Sequence, residues 1–403
     1  MKRESPPSKR SVRWRGSTEL DRVKLGAYYT PHELVCVVQS LIKPYITDKA
    51  IIFDSSGGYG TFISKEYNYR IAEYDPVAYG YLKDEFDQEK VYYTNSLLDV
   101  SREKYNISDD DYLIIVGNPP YNDITSSYRK GNKGTVICDN DIYDRDLGIS
   151  FLKSYNKLKA DIVCVLHPLS YLIKETNFNR LKEFKKNYKL IHGITFSSKL
   201  FSNTGKQKFP ILIALYEKAQ EGMTYEYIRN FEFDVLDDDD FKFVLSHYMT
   251  TDGIINKYPP RKNEEQTSPI NLYYYSFRDI NSLRNNTSFL NYKCSNAIVV
   301  TVENFYHYAY LYCFKTLFNY KNKMWLIGNL SPLIDLANFE FYKSYYIVYA
   351  IETNKILRDI SPDIKEKILS YYNIELNDFN IIDVEKTLLN SFEIFISNIP
   401  MKS

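Results

Sequence analysis

Cysteine is scarce and unclustered in this chain. The 403 residues hold five, Cys36, Cys138, Cys164, Cys294 and Cys313. None forms a C-x-x-C pair, and no histidine partner at metal-ligand spacing is expected. That pattern excludes a disulfide scaffold and a zinc ribbon. It leaves a reduced, metal-free and cytoplasmic framework as the expectation. Long apolar runs are missing too, since none approaches the ~20 residues of a membrane span. The N-terminus is basic and polar, without the apolar stretch of a signal peptide. Net charge is also absent, with 51 Lys+Arg against 51 Asp+Glu. A chain so balanced binds nucleic acid only by gathering its positive charge on one face. No histidine or cysteine stands out as a nucleophile.

What is present is tyrosine, at 39 residues. It reads either as base-stacking surface or as compositional drift. A basic N-terminal arm comes first: residues 1–25 carry Lys2, Arg3, Lys9, Arg10, Arg13, Arg15, Arg22 and Lys24 against Glu4, Glu19 and Asp21. It suits phosphate contacts or a solvated tail equally.

From residue 26 to about 220, short apolar strands alternate with helical patterns. Ile51–Asp54, Tyr69–Glu73, Val91–Thr94, Leu113–Gly117, Ile162–His167, Ile191–Phe196 and Phe209–Tyr216 read as strands, and His32–Lys43 and Gly148–Lys159 as helices. Such alternation predicts an α/β fold, a doubly wound Rossmann-like sheet that is mostly parallel. The last two strands have no helix between them and are expected to pair antiparallel at the sheet edge. Beyond residue 220 the acidic run Asp237–Asp240 and the proline-bearing stretch Lys257–Pro269 read as loops. Residues 221–403 are expected to form a smaller mixed α+β domain.

Three sites carry chemistry. In Ile51-Ile52-Phe53-Asp54-Ser55-Ser56-Gly57-Gly58-Tyr59-Gly60 a buried strand enters a glycine turn, where a ligand can approach the backbone closely. Glu73 ends the next strand, nineteen residues after Asp54. An acid at that distance is placed to accept hydrogen bonds from ribose hydroxyls. The third site is Asn118-Pro119-Pro120-Tyr121 at the end of Leu113–Gly117. The two prolines stiffen the backbone and fix the directions of neighbouring carbonyls. Asn118 adds an acceptor and Tyr121 a flat ring, a set suited to gripping a planar amine or amide.

With these motifs in this order, residues 25 to about 217 resemble the N6-adenine DNA methyltransferases, the class whose cofactor motifs precede N-P-P-Y and whose target recognition follows. Tyr28-Tyr29-Thr30-Pro31 looks like the family's segment at the methionine end of the cofactor. Asp54, Gly58 and Gly60 fall in its glycine turn, and Glu73 on its ribose acid. Asn95 falls beside the cofactor's adenine, and Phe201 near an aromatic against the extruded base. The family's proline after the first acid is Ser55 here. The resemblance implies S-adenosylmethionine as cofactor, double-stranded DNA as substrate, and a bacterial or phage restriction–modification setting with a cognate endonuclease as possible partner. It implies no metal and no membrane.

In the mechanism so implied, Asn118 and the Pro119 carbonyl accept from the target amine. The base is flipped out of the duplex to reach them, and Tyr121 stacks on it. The loop Asn122–Asp141, with Arg129, Lys130 and Lys133, is expected to close over the site and touch phosphates; Lys206 and Lys208 sit on a second tip with two readings. Residues 221–403 are the candidate target-recognition region, though Tyr273, Tyr274, Tyr275 and Phe277 read more readily as core. Lys321–Trp325 mixes aromatics and charge in the same way. Other readings stay open: a protein glutamine amide, RNA or cytosine N4 as acceptor, or an inactive DNA-recognition subunit. A dinucleotide oxidoreductase would explain the glycine turn and Glu73 but not N-P-P-Y.

Overall fold

The computed structural model describes residues 30–121, 138–201, 209–236, 238–248, 251, 253–260, 267–318 and 336–398. Its centre is a nine-stranded sheet in the order β3-β2-β1-β4-β5-β7-β6-β8-β9. The strands are β1 Ala50–Asp54, β2 Tyr69–Glu73, β3 Val91–Tyr93, β4 Tyr112–Gly117, β5 Ile162–Pro168, β6 Tyr188–Ser197, β7 Pro210–Lys218, β8 Phe233–Val235 and β9 Asp238–Phe243. Every central strand predicted from the sequence is there, within a few residues at each end. From β3 to β5 all pairs are parallel.

Central strands must bury both faces, and their side chains divide by parity. Ile51, Phe53, Leu113, Ile115, Val163 and Val165 enter one apolar cluster. Ile52, Ile114, Val116, Ile162, Cys164 and Leu166 enter the other. The helix Leu147–Lys157 covers the first face with Ile149, Leu152 and Tyr155. The helix His32–Ile42 covers the second with Leu34, Val35, Val38 and Ile42. The helix Pro76–Glu85 joins it through Leu82. The sheet is therefore doubly wound.

Two expectations need correction. The antiparallel strand is internal, not at the edge: β7 runs against β5 on one side and β6 on the other. The sheet then continues through β8, parallel to β6, and β9. These two strands come from beyond residue 220, and β9 includes most of the acidic run read as a loop. Asp238 and its neighbours extend because the same strand carries Phe241 and Phe243, which are buried. Burial of that apolar pair outweighs the weak strand propensity of aspartate.

A second, three-stranded antiparallel sheet, in the order β11-β10-β12, follows. It consists of β10 Leu272–Tyr275, β11 Phe289–Leu290 and β12 Ala297–Val300. Tyr273, Tyr274 and Phe277 are buried in it, as core rather than surface. The helices Phe305–Leu317, Lys343–Thr353 and Ile381–Asn398 pack on one another through Tyr310, Phe314, Tyr346 and Phe392, and Tyr308 packs on Tyr274 of the small sheet. Much of the tyrosine excess goes into this core. Among the described residues, no helix is long and apolar enough to cross a membrane.

Candidate functional site

The strand order reverses between β1 and β4, whose neighbours lie on opposite sides. In open α/β sheets ligands bind outside the carboxyl ends of the strands at that point. Asp54 ends β1, Glu73 ends β2 and Gly117 ends β4, so the topology gathers all three sequence motifs at one end of the sheet.

The glycine turn is built as the sequence suggested. Gly58 and Gly60 adopt φ of +54° and +73°, which glycine tolerates without strain. The space where a side chain of Gly58 would lie is open, with nothing within 4 Å. At Gly60 a methyl would strike the Phe86 ring at 2.5 Å. Glu73 ties the turn together. Its Oε2 accepts from the Gly58 amide at 2.7 Å, and its Oε1 accepts from Tyr74 and Asp75 at 2.7 and 2.6 Å. Burial pushes its carboxyl up from the usual range, and those three amides oppose the shift. Asp75 then caps the helix Pro76–Glu85, accepting from Val77 and Ala78. Glu73 thus has a scaffold role that spacing alone did not reveal.

Asp54 is 1% exposed. One oxygen accepts from the Ser56 amide at 3.0 Å; the other is buried with no hydrogen-bond partner. Burial is the main cause that raises its pKa to about 7, with the Glu73 charge adding to it. Gly117, at φ +144°, lies directly against it: a methyl there would sit 2.8 Å from Asp54 Oδ1. Ser55, which follows Asp54, is buried. Its hydroxyl is 3.1 Å from that of Tyr155, and its carbonyl accepts from Ser96 Oγ at 2.6 Å. The hydroxyl at this position is therefore used in the core. Asn95 caps its own loop, its Oδ1 accepting from the Leu97 amide at 2.9 Å.

Asn118 follows β4 and is half-buried. Its Nδ2 donates to Thr30 Oγ1 at 3.2 Å, across 88 positions of sequence. Its Oδ1 is buried and has no donor. An unpaired buried acceptor costs roughly 1–3 kcal/mol, and such groups mark sites where something else is to be held. Pro31, next to Thr30, leads into the helix His32–Ile42. Pro119 is buried and Pro120 half-buried. The Tyr121 ring stands edge-on to Phe209, centroids 6.4 Å apart at 83°. Phe201 is buried, with its ring 5.9 Å from that of Phe196. Phe209, which immediately precedes β7 and was a nearby alternative in the sequence, is an aromatic at Tyr121. Tyr28, Tyr29, Arg129, Lys130 and Lys133 lie outside the described residues, as do Lys206, Lys208 and the 321–325 segment.

All five cysteines are free thiols. Contrary to the expectation of no histidine–cysteine pair at metal spacing, His32 and Cys36 share a helix face four residues apart, with Nδ1 3.4 Å from Sγ. Two groups do not make a metal site, and among the described residues no cluster of three or more potential ligands is placed to hold one.

No protein-family model and no curated protein matches the sequence. Solved structures with similarity to it include the M protein of the type I restriction enzyme EcoKI, at 11% identity and TM-score 0.39 over 91% of this chain and 73% of that one. Another is a type I restriction-modification methyltransferase subunit from Streptococcus thermophilus, at 15% and 0.33 over 47% and 45%. A third is precorrin-6y C5,15-methyltransferase from Geobacter metallireducens, at 13% and 0.28 over 47% and 92%. At such identities, function has to be read from the residues of the site itself.

Proposed function

We propose that this chain is an S-adenosylmethionine-dependent methyltransferase acting on the exocyclic amino group of adenine in DNA. The observation that carries the reading is Asn118: a buried side-chain oxygen without a donor, on an amide whose nitrogen is already held by Thr30.

The residues present fit the cofactor. The left-handed Gly58 leaves open backbone at the end of β1, and Gly60 lets the turn close against Phe86. Glu73 Oε2 has acceptor capacity beyond the Gly58 amide for a ribose hydroxyl. Thr30, Pro31, Asp54 and Asn95 flank the same end of the sheet. When bound, S-adenosylmethionine supplies a methyl group already activated on a sulfonium.

An aromatic amine is a poor nucleophile because its lone pair is delocalised into the ring. Asn118 Oδ1 and the Pro119 carbonyl, each accepting one N–H, would draw the nitrogen toward tetrahedral geometry and free the pair. These acceptors also face the positive charge that grows on nitrogen during transfer, so they stabilise the transition state more than the ground state. Tyr121 and Phe209 offer ring surface for the flipped base, and stacking of this kind contributes ~1–3 kcal/mol. Positioning supplies the remainder. Target recognition is assigned to the region beyond β9, and a partner endonuclease belongs to the same reading.

The test is transfer of labelled methyl from S-adenosylmethionine to unmethylated bacterial DNA, followed by nucleoside analysis. Label is expected in N6-methyladenine for the wild type and reduced at least a hundredfold in Asn118→Ala. Label in N4-methylcytosine, in RNA or in protein glutamine instead would move the substrate. No transfer to any of them would end the reading.

A further inference from the structure

Directly behind the tetrapeptide lies a buried polar cluster that the chemistry above does not use. Asp146 caps the helix Leu147–Lys157, and its Oδ1 accepts from the Gly148 amide at 3.0 Å. The same oxygen accepts from the hydroxyl of Tyr171. Tyr171 is 2% exposed. Its ring lies parallel to His167, centroids 5.3 Å apart at 14°. His167 in turn reaches the Tyr216 hydroxyl at 2.7 Å. Asp146 is held from the other side by Asp144, whose Oδ1 accepts its amide at 3.0 Å. Asp144 is itself paired with Lys153 at 3.0 Å and with Arg180.

Gly148 is where this cluster meets the site. A methyl there would lie 2.5 Å from the Tyr171 hydroxyl, 3.0 Å from Tyr171 Cε2 and 3.1 Å from Tyr121 Cβ. The stem of Tyr121 and the tip of Tyr171 therefore both crowd the side of this glycine on which a side chain would stand. Interiors packed to this density transmit small displacements rather than absorb them. A phenol donating to a carboxylate is also a short, directional bond.

We propose that Tyr171 and Asp146 are positioning residues for Tyr121: their hydrogen bond sets Gly148, and Gly148 sets the angle at which the Tyr121 ring meets the substrate base. This rests on the function proposed above. Tyr171 touches neither substrate nor cofactor and acts only through the glycine.

The test uses the full chain, S-adenosylmethionine and unmethylated bacterial DNA, with kcat, both KM values and Tm measured for each variant. Tyr171→Phe keeps the ring and its stack on His167 and removes only the hydroxyl. Its kcat is expected to fall about tenfold or more, with KM for cofactor and DNA within about twofold of wild type. Gly148→Ala is expected to show the same split. In Gly148→Ala/Tyr171→Phe the nearest overlapping atom is gone, so the double variant should be no slower than the slower single one, a coupling that independent sites do not show. Unchanged kcat in Tyr171→Phe overturns the proposal. So does a loss in which kcat, KM and Tm fall together, or a double variant whose losses multiply. A wild type that transfers no methyl to DNA removes the underlying function and this proposal with it, whereas an active wild type with an unaffected Tyr171→Phe removes the proposal alone.

Discussion

Asp54 shows how much one atom's surroundings can decide. Its second oxygen has no partner and its charge is buried beside that of Glu73. Its folded-state pKa, about 7, therefore lies above the unfolded value near 3.9. Between those values the folded chain holds a proton that the unfolded chain has lost. Stability from this residue is thus present below about pH 4 and falls as pH rises through 7. Asp54→Asn removes the charge and keeps an acceptor for the Ser56 amide. It should raise Tm by ~2 °C or more at pH 8 and by clearly less at pH 5, where only part of the loss has occurred. A scan at the two pH values, without cofactor, decides this; an equal loss at both would mean that the carboxylate is stabilising as it stands. Glu73 differs because three backbone amides answer its charge, so a neutral replacement there loosens the glycine turn instead of relieving it.

At the scale of elements, the sheet is tied at its two ends by different means. The end bearing Asp54, Glu73 and Asn118 is held by glycines and caps. The opposite end is held by Arg102, 9% exposed, which donates to the carbonyls of Leu158, Ser108, Asp111 and Lys159 at 2.8, 2.8, 2.9 and 2.9 Å. One guanidinium thus fastens the loop before β4 to the loop after the helix Leu147–Lys157. Arg102→Met fills part of the volume and removes the guanidinium donor from those carbonyls, of which only that of Ser108 keeps another, the Asp111 amide at 3.2 Å, among the hydrogen bonds described. At roughly 1–3 kcal/mol for each buried group so abandoned, a loss of about 3 kcal/mol in urea-unfolding free energy is expected. Methyl transfer per folded molecule should stay near wild type, because the change lies at the far end of the strands. A selective loss of kcat at unchanged stability would contradict that separation.

For the whole molecule, the apolar cluster on one face of the large sheet runs without a break from Ile51 to Phe392. The strand β6 pairs with β8 through Ile194 and Thr195, and Phe233 packs on Gly193, where a methyl would lie 2.9 Å from its ring. A chain ended after Lys218 would expose the open edge of β6 and the apolar face beneath it, a template for association. Such a fragment is expected in the insoluble fraction, or soluble without a cooperative thermal transition. A soluble fragment with a sharp transition would show that the sheet stands without its last two strands.

Strand positions, the glycine turn, Glu73 and N-P-P-Y were legible in the sequence because each depends on local rules: parity of apolar residues, backbone freedom at glycine, proline's fixed φ. Those rules also misjudged the acidic run Asp237–Asp240, most of which lies in a strand because burial of Phe241 and Phe243 overrode local preference. The sequence by itself determined which elements form and which chemical groups end them. Only the tertiary structure decided that Thr30 takes the Asn118 nitrogen and leaves its oxygen bare, that Phe209 stands edge-on to Tyr121, and that Tyr171 and Gly148 meet behind the site. The physical reason is that each of these contacts joins residues 20 to about 90 positions apart. Their partners are chosen by the order in which strands enter the sheet, and no pattern within a single segment encodes that order.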